Sequence, residues 1–372
     1  MMKRLLTSLL IASCCISPLS AQTEVAPFRP GATLDGVNYF LPKTVFKVVV
    51  VAEKNTTIPG EFAPYADRYL RLRDVPTFQQ DTWVLKSVGL YPYGVPDSTK
   101  AVNIKVKSKT SAPLVSLTDD GLLLAINTEA EPEPQPQLPQ AVPAPKPVNG
   151  RDYMTQEILA AGSTSKMAQL TAEEIYDIRE SRNALLRGEA DNTPKDGAQL
   201  RLMLDGLAEQ AYALEALFKG QTLTSTEVFT FDFDPSDILE SPVADGMAEA
   251  AEMPTEGRAL LCRFSQRLGL VDADDLSGAP LWISLKLLGN LPAPVENADV
   301  QRRQDKMEKG VWMNQPARAL VTVSDANTMW AQAEVPMAQF GTVEVLSDAL
   351  FNKKPETRVT FYQHTGSVKQ LE

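Results

Sequence analysis

The chain has 372 residues and a formal net charge of −11 at pH 7, with 47 acidic and 36 basic side chains. An acidic surface repels polyanions, so the composition argues against nucleic acid as a partner. Cys14 and Cys15 lie near the N-terminus and Cys262 stands alone in the rest of the chain, which therefore cannot form an internal disulfide. The fold must rest on its hydrophobic core, and the length allows more than one domain.

Residues 1–21 have the pattern of a secretory signal peptide. Lys3 and Arg4 precede an apolar stretch, and small residues that suit signal peptidase follow it. The pattern predicts cleavage between Ala21 and Gln22 and export to the periplasm or the cell surface. The apolar stretch is too short for a stable transmembrane helix, and no later stretch is long and apolar enough to be one.

The same residues allow a second interpretation. Ile11-Ala12-Ser13-Cys14 resembles a lipobox, in which the cysteine becomes the lipidated first residue of a bacterial lipoprotein. Only a few apolar residues precede Cys14, and an ordinary cleavage site lies just beyond it. We therefore expect soluble export, with a lipid anchor at Cys14 as the alternative; an anchor would hold the protein on a membrane face.

Residues 22–127 are expected to form an N-terminal β-rich domain. The segment 44–51 is rich in β-branched and aromatic residues, and 102–107 alternates apolar and polar residues with the period of a strand. A short helix is expected over 64–70, with a proline in its first turn. Residues 121–127 predict a short buried strand.

Residues 128–150 differ abruptly in composition, because seven prolines are interspersed with Glu, Gln and Ala. Proline fixes φ and donates no backbone hydrogen bond, so we expect an extended, solvated and semi-rigid segment. Such a composition also occurs in ligands of proline-binding signalling domains. A linker or a large surface loop is its commoner origin and is the interpretation that we adopt.

Residues 151–220 predict an antiparallel helical hairpin. Thr171 and Glu174 match a capping box that would open its first helix, and Gly188 lies near the end of that helix. The second helix has apolar residues at spacings of three and four and is expected to end at Gly220. The two apolar stripes would form a seam between the helices.

Residues 221–372 are expected to form a C-terminal β-rich domain. Its first strand alternates phenylalanine with polar residues, later strands are expected at 281–287 and 319–323, and the segments 358–362 and 366–371 predict a terminal hairpin. Together the elements predict an α+β fold with two predominantly antiparallel β regions and the helical hairpin between them.

The residue inventory excludes several classes of enzyme. His364 is the only histidine, so two-histidine zinc motifs and His/Cys metal clusters cannot be built, and no cofactor is expected. A nucleophile–histidine site would have to use His364, which we expect at an exposed hairpin turn. Ser163 and Lys166 match the Ser-x-x-Lys pattern, but chance alone supplies about one such match in a chain of this size. We interpret this segment as a polar helix start.

Two groups of aspartates deserve comparison with known sites. Asp232 and Asp234 share one face of a strand at about 7 Å, a spacing that suits a carboxylate pair in a glycosidase. Since phenylalanines occupy the opposite face, the simpler interpretation is that the two aspartates lie on the solvent-exposed face of a half-buried strand. Asp272, Asp274 and Asp275 could supply oxygen ligands to calcium, although the EF-hand spacing and terminal glutamate are missing. An acidic turn is the simpler interpretation.

Several patches in chain order carry a resemblance to a known family; they are residues 36–44, 59–66, 175–182 with 188–189, 217–220, 339–341 and 365–366. On these patches the chain resembles the domain of unknown function family 4831, which consists of exported Bacteroidetes proteins. The resemblance implies export and the architecture, and it brings no catalytic residues. The chain departs from the family pattern at two places: Arg71 follows Leu70 where glycine is expected, and 313–316 replace a Tyr-Arg-Ile-Pro-like patch. These departures argue against a functional role for either place.

The sequence therefore favours an exported cell-envelope protein that acts in binding, assembly or scaffolding rather than as an enzyme. An envelope protein or a glycan is the expected partner. The alternative is a carboxylate-dependent glycan hydrolase that uses Asp232 and Asp234.

Overall fold

The structure is a computed structural model and describes residues 24–27, 36–105, 114–191, 194, 196–239, 255–289, 310–347, 350 and 357–372. The predicted signal peptide and the lipidation candidate Cys14 lie outside these residues. In the described part, strands dominate, their ladders are antiparallel, and the helices gather in one region. The α+β prediction is therefore confirmed. No helix in these ranges is long and apolar enough to cross a membrane.

The first sheet is built on two long paired strands. Its strand order is β1 (Glu24–Pro27), β3 (Gln80–Lys105), β2 (Val37–Ile58) and β6 (Gln221–Phe233). At the usual rise of about 3.3 Å per residue, β2 is about 70 Å long. Pro42 and Pro96 face each other where the β2–β3 register shifts. Proline donates no ladder hydrogen bond and is tolerated at such an irregularity.

The second sheet packs face to face on the first and encloses the main core. Its strand order is β11 (Met329–Ser347), β10 (Gly310–Ser324), β9 (Ala279–Leu288), β7 (Glu256–Ser265) and β8 (Gly269–Val271). Phe46 and Val48 of β2 are fully buried against Ile283 of β9 and Val321 of β10. The phenylalanines of β6 pack on the same core. Burial of these side chains is the main stabilising contribution.

The third sheet combines strands from distant parts of the chain. Its strand order is β13 (Val368–Leu371), β12 (Val359–Phe361), β5 (Leu123–Ile126) and β4 (Val115–Leu117). The predicted C-terminal hairpin is present as β12 and β13. Because β5 pairs with β12 and β2 pairs with β6, strands from both predicted β regions share sheets. Such pairing depends on contacts between distant residues, so local sequence patterns do not reveal it.

The helices are α1 (Ala66–Leu70), α2 (Gln156–Leu159), α3 (Thr164–Arg187) and α4 (Gly197–Lys219). The two long helices form the expected hairpin and bury Ile175 and Leu214 against Phe62, which follows β2. Gly188 ends α3 in the left-handed conformation, and its N–H bonds to the Leu185 carbonyl as expected for a C-cap. The helical layer therefore packs at the end of the first sheet.

The predicted start of the first long helix is wrong. Ser163, rather than Thr171, is the N-cap, and its hydroxyl accepts a hydrogen bond from the Lys166 N–H at 3.2 Å. Thr171 is buried inside α3, where its hydroxyl donates to the Met167 carbonyl at 2.8 Å. A threonine can satisfy its hydroxyl in this way within a helix, so a capping-box pattern does not by itself mark a helix start. The interpretation of Ser163-Thr164-Ser165-Lys166 as a polar helix start is confirmed.

Candidate ligand-binding cleft

A cleft of about 350 Å³ lies between the first sheet and the proline-rich segment. Its floor comes from Lys47 on β2 and from Tyr91 and Tyr93 on β3, its roof from residues 132–136 and Leu138, and one wall from the β12–β13 turn. The volume is near the lower end of the range of small-molecule sites, and the lining combines aromatic rings with a few polar groups, as such sites usually do.

The roof of the cleft is a strap, defined here as residues 128–149. At its start, the Ser116 hydroxyl donates to the Ala130 carbonyl at 3.1 Å. Further along, Val142 exchanges two backbone hydrogen bonds with Thr226 of β6, at 2.8 and 2.9 Å. Near the end, the Gln221 side-chain amide bonds to both the N–H and the carbonyl of Val148. Residues 134–141 make no hydrogen bond to any other described residue, so hydrogen bonds hold the strap on both sides of this stretch but not within it.

The floor of the cleft is ordered by strand pairing. Lys47 is the direct neighbour of Tyr91 on β3 and of Asp232 on β6. Directly opposed residues of antiparallel strands point to the same face, so these three side chains form a row across the sheet, and Tyr93 follows two residues along. The Tyr91 ring lies over Gly89, where an added Cβ would come within 2.9 Å of the ring. The absence of a side chain at Gly89 therefore gives the ring its place.

Tyr93 is held by two charged neighbours. The Lys47 Nζ lies 5.5 Å from the centre of its ring and 3.3 Å from an Asp232 carboxylate oxygen. Burial, with the hydrogen bond from the phenol to Asp232 as a second cause, raises the pKa of Tyr93 to about 12. The phenol is thus protonated at neutral pH and keeps its donor hydrogen. By contrast, Tyr91 has no ring or cation contact with a described residue.

The wall of the cleft brings distant residues together. The Glu133 N–H donates to the Gln363 side-chain oxygen at 3.0 Å, and a Glu133 carboxylate oxygen lies 3.4 Å from His364 Nδ1. The prediction that His364 is an exposed turn residue is wrong, because its side chain is only 23% exposed and faces the cleft. Gly94 explains the packing, since a Cβ there would come within 2.3 Å of the Gln363 carbonyl oxygen. Local sequence gave no signal for this approach.

The two candidate catalytic aspartates are each paired with a lysine of β2. Asp232 faces Lys47 beside the cleft, while Asp234 lies 2.5 Å from Lys43 and also accepts from the Ser236 N–H and hydroxyl. Partial burial alone would raise the pKa of Asp234, but the hydrogen bonds from Lys43 and Ser236 outweigh it and hold that pKa below the usual value. The general acid of a glycosidase needs a raised pKa, whereas the pKa of Asp234 is lowered, so Asp234 is unsuited to that role.

The candidate calcium loop is a turn between β8 and β9, and its oxygen atoms accept hydrogen bonds from other residues of the same loop. The Asp275 carboxylate accepts from the Ser277 N–H at 2.9 Å, and the Asp272 carbonyl accepts from the Asp275 N–H at 3.0 Å. Arg263 supplies a positive charge by donating to the Ala273 carbonyl at 2.7 Å. Across the described ranges, no three His, Cys, Asp or Glu side chains are grouped so that they could hold a metal ion. Asp274 is exposed.

Comparison with known proteins places the chain in a family. No curated protein and no solved structure matches the sequence. One family model does match, over residues 35–369, which is nearly the whole chain, and it is described as a domain of unknown function. The chain belongs to this family, Domain of unknown function (DUF4831), as the sequence resemblance implied.

Proposed function

We propose that the protein is exported to the cell envelope and acts there as a non-enzymatic binding module, with the cleft under the strap as its binding site. One observation carries the proposal: the described lining of the cleft places the rings of Tyr91 and Tyr93 beside proline surface and a few polar groups. The polar groups are the Lys47 ammonium, which is paired with Asp232, and the Glu133 carboxylate beside His364. This composition suits recognition better than bond cleavage.

The export part of the proposal is supported by the N-terminal pattern and by the family resemblance. Mass spectrometry of the protein purified from its native envelope is expected to give Gln22 as the first residue. A diacylated or triacylated Cys14 at the mature N-terminus would contradict soluble export and would establish the lipoprotein alternative.

The hydrolase alternative has less support. Lys47 and Lys43 neutralise the two aspartates on which it depends, and the lowered pKa of Asp234 is unsuited to proton donation. The alternative predicts turnover of a glycan by the chain beginning at Gln22 and loss of that turnover in the double variant Asp232→Asn, Asp234→Asn. We expect no turnover with either protein.

A variant whose cleft is filled by a large side chain tests whether the cleft is the binding site. Gln135 and Gln137 are both exposed on the strap, but only Gln135 lines the cleft. Immobilised protein is exposed to a native envelope extract, and retained protein and glycan are quantified. We expect Gln135→Trp to lose a component that the unmodified chain and Gln137→Trp both retain. Equal retention by all three proteins would contradict the role of the cleft, and turnover of a retained glycan would contradict the non-enzymatic role.

A further inference from the structure

We infer that the cleft binds an uncharged saccharide, with the Tyr91 ring as the surface on which one sugar ring stacks. This inference rests on the proposed binding function and names its ligand class. Three features of the cleft support it: a partly exposed aromatic ring without a ring or cation partner among the described residues, a mixture of unused hydrogen-bond donors and acceptors, and a charge balance that disfavours anions.

The aromatic ring for stacking is that of Tyr91, which is partly exposed and lines the cleft. Tyr93 is occupied by Lys47, whereas Tyr91 has no such contact among the described residues and lies over Gly89 on a strand paired along its length. An aromatic ring carries negative charge on its faces, and the C–H bonds on one side of a pyranose ring are weakly positive. A ring held on a rigid strand loses little entropy when a sugar stacks on it.

The unused hydrogen-bonding capacity matches hydroxyl groups. Gln363 uses its side-chain oxygen on Glu133 and keeps its NH₂, and His364 keeps Nε2 after Nδ1 has approached Glu133. Lys47 keeps donors beyond the one that faces Asp232, and the second Glu133 carboxylate oxygen accepts no hydrogen bond from a described residue. Hydrogen-bond donors and acceptors thus lie side by side, and a sugar hydroxyl group can accept from one and donate to the other at the same time.

The charge and volume of the cleft restrict the class of ligand further. Lys47 is neutralised by Asp232, which leaves Glu133 as a net negative contribution in a protein that is itself acidic. An anionic polymer would meet repulsion here. The volume of about 350 Å³ fits one or two sugar rings better than a length of extended peptide.

The test is calorimetric titration of the chain beginning at Gln22 with uncharged tetrasaccharides of glucose, mannose and galactose, and with tetragalacturonate as the anionic probe. We expect at least one uncharged tetrasaccharide to bind and tetragalacturonate not to bind. Tyr91→Ala should weaken binding at least tenfold because it removes the stacking surface. Tyr212→Ala, which removes an exposed tyrosine of α4 outside the cleft, should leave it unchanged.

Other results overturn the inference. The inference is wrong if no uncharged tetrasaccharide binds with a dissociation constant below about 1 mM. It is also wrong if tetragalacturonate binds as tightly as the uncharged tetrasaccharides. A Tyr91→Ala variant that binds them as tightly as the unmodified chain would contradict it as well. A proline-rich peptide that binds in a Tyr91-dependent way, without saccharide binding, overturns the saccharide and leaves the binding function standing. If Gln135→Trp captures the same envelope components as the unmodified chain, the proposed binding function of the cleft is itself wrong.

Discussion

The side chain of Gln339 pairs with the backbone of Thr44 as a neighbouring strand would. Its Oε1 accepts from the Thr44 N–H at 3.0 Å and its Nε2 donates to the Thr44 carbonyl at 2.8 Å. The Thr44 hydroxyl continues the network by donating to the His364 carbonyl at 2.9 Å. Gln339 therefore joins the second sheet to the first, and Thr44 joins the first sheet to the turn that forms the wall of the cleft.

Replacement of Gln339 by alanine is expected to destabilise the fold. Thr44 is fully buried, so its N–H and carbonyl would be left without partners, at a cost of about 2 kcal/mol or more. Urea denaturation followed by tryptophan fluorescence measures the change. Gln332→Ala, at an exposed position on the same strand, is the matched control and should change the free energy of unfolding by less than about 0.5 kcal/mol. Equal effects of the two variants would show that the amide pairing has no special role.

Arg71→Gly is expected to stabilise the protein. Arg71 follows the last residue of α1 with φ of 59°, in the left-handed region that a side chain disfavours. Relief of this strain is worth about 1 kcal/mol. Thermal unfolding should show a higher midpoint for Arg71→Gly. Arg71→Ala removes the same charge but keeps a Cβ, so it should show no such gain; a gain of equal size would assign the effect to charge.

The ion pair between Asp234 and Lys43 makes stability depend on pH at the acidic end. The pKa of Asp234 is lower in the folded protein than in the unfolded chain, so its contribution is present above the usual aspartate range, near 4, and is lost as the pH falls through the lowered value. Asp234→Asn should therefore cost about 1 kcal/mol or less at pH 7 and less still near pH 3. Asp274→Asn, in an exposed loop, is the control. A difference that grows on acidification would contradict the assignment.

Cys262 is expected to resist thiol reagents in the folded state. Burial on β7 raises the pKa of its thiol to about 12, so the reactive thiolate is scarce at pH 8. In the chain beginning at Gln22, where it is the single cysteine, labelling by a maleimide should be slow without denaturant and stoichiometric in urea. Fast labelling without denaturant would show that this part of the core opens readily. Cys262→Ser supplies the blank.

The family patches acquire a structural explanation at two junctions. At the first, Asn314 donates to the carbonyls of Pro42 and Thr365 at 2.8 and 2.9 Å, and Gly366, with φ of 71°, lies against Pro42. Here β2, β10 and the β12–β13 turn meet. The patches there have little room to vary, because a side chain at Gly366 would overlap the proline ring.

At the second junction, the end of β2 meets the end of α4. The Phe62 N–H donates to the Leu217 carbonyl at 2.6 Å, and the rings of Phe62 and Phe218 lie 5.4 Å apart. Gly60 permits this approach, since a Cβ there would come within 2.4 Å of the Leu217 carbonyl oxygen. The patches at 59–66 and 217–220 thus attach the helical layer to the sheet.

The sequence by itself determined part of the local structure of this protein. Patterns of apolar, β-branched and alternating residues predicted strands that overlap β2, β5, β6, β9, β10, β12 and β13, and spacings of three and four with Gly188 and Gly220 predicted the long helices. The strands β7, β8 and β11 and most of β3 were not predicted. The predicted features depend on neighbours in the chain. The start of α3 was misplaced because two serine- and threonine-containing segments offered similar caps, and only packing decides which of them lies inside the helix.

Only the tertiary structure decided how the strands pair and where the cleft lies. β5 joins β12, and Glu133 meets His364, across more than 200 residues of sequence. No local periodicity encodes such partners; they follow from shape complementarity at close approaches such as that of Gly94 to the terminal turn. The proline-rich composition predicted an extended segment, but its position as a strap over Tyr91 and Tyr93 required the folded sheet beneath it.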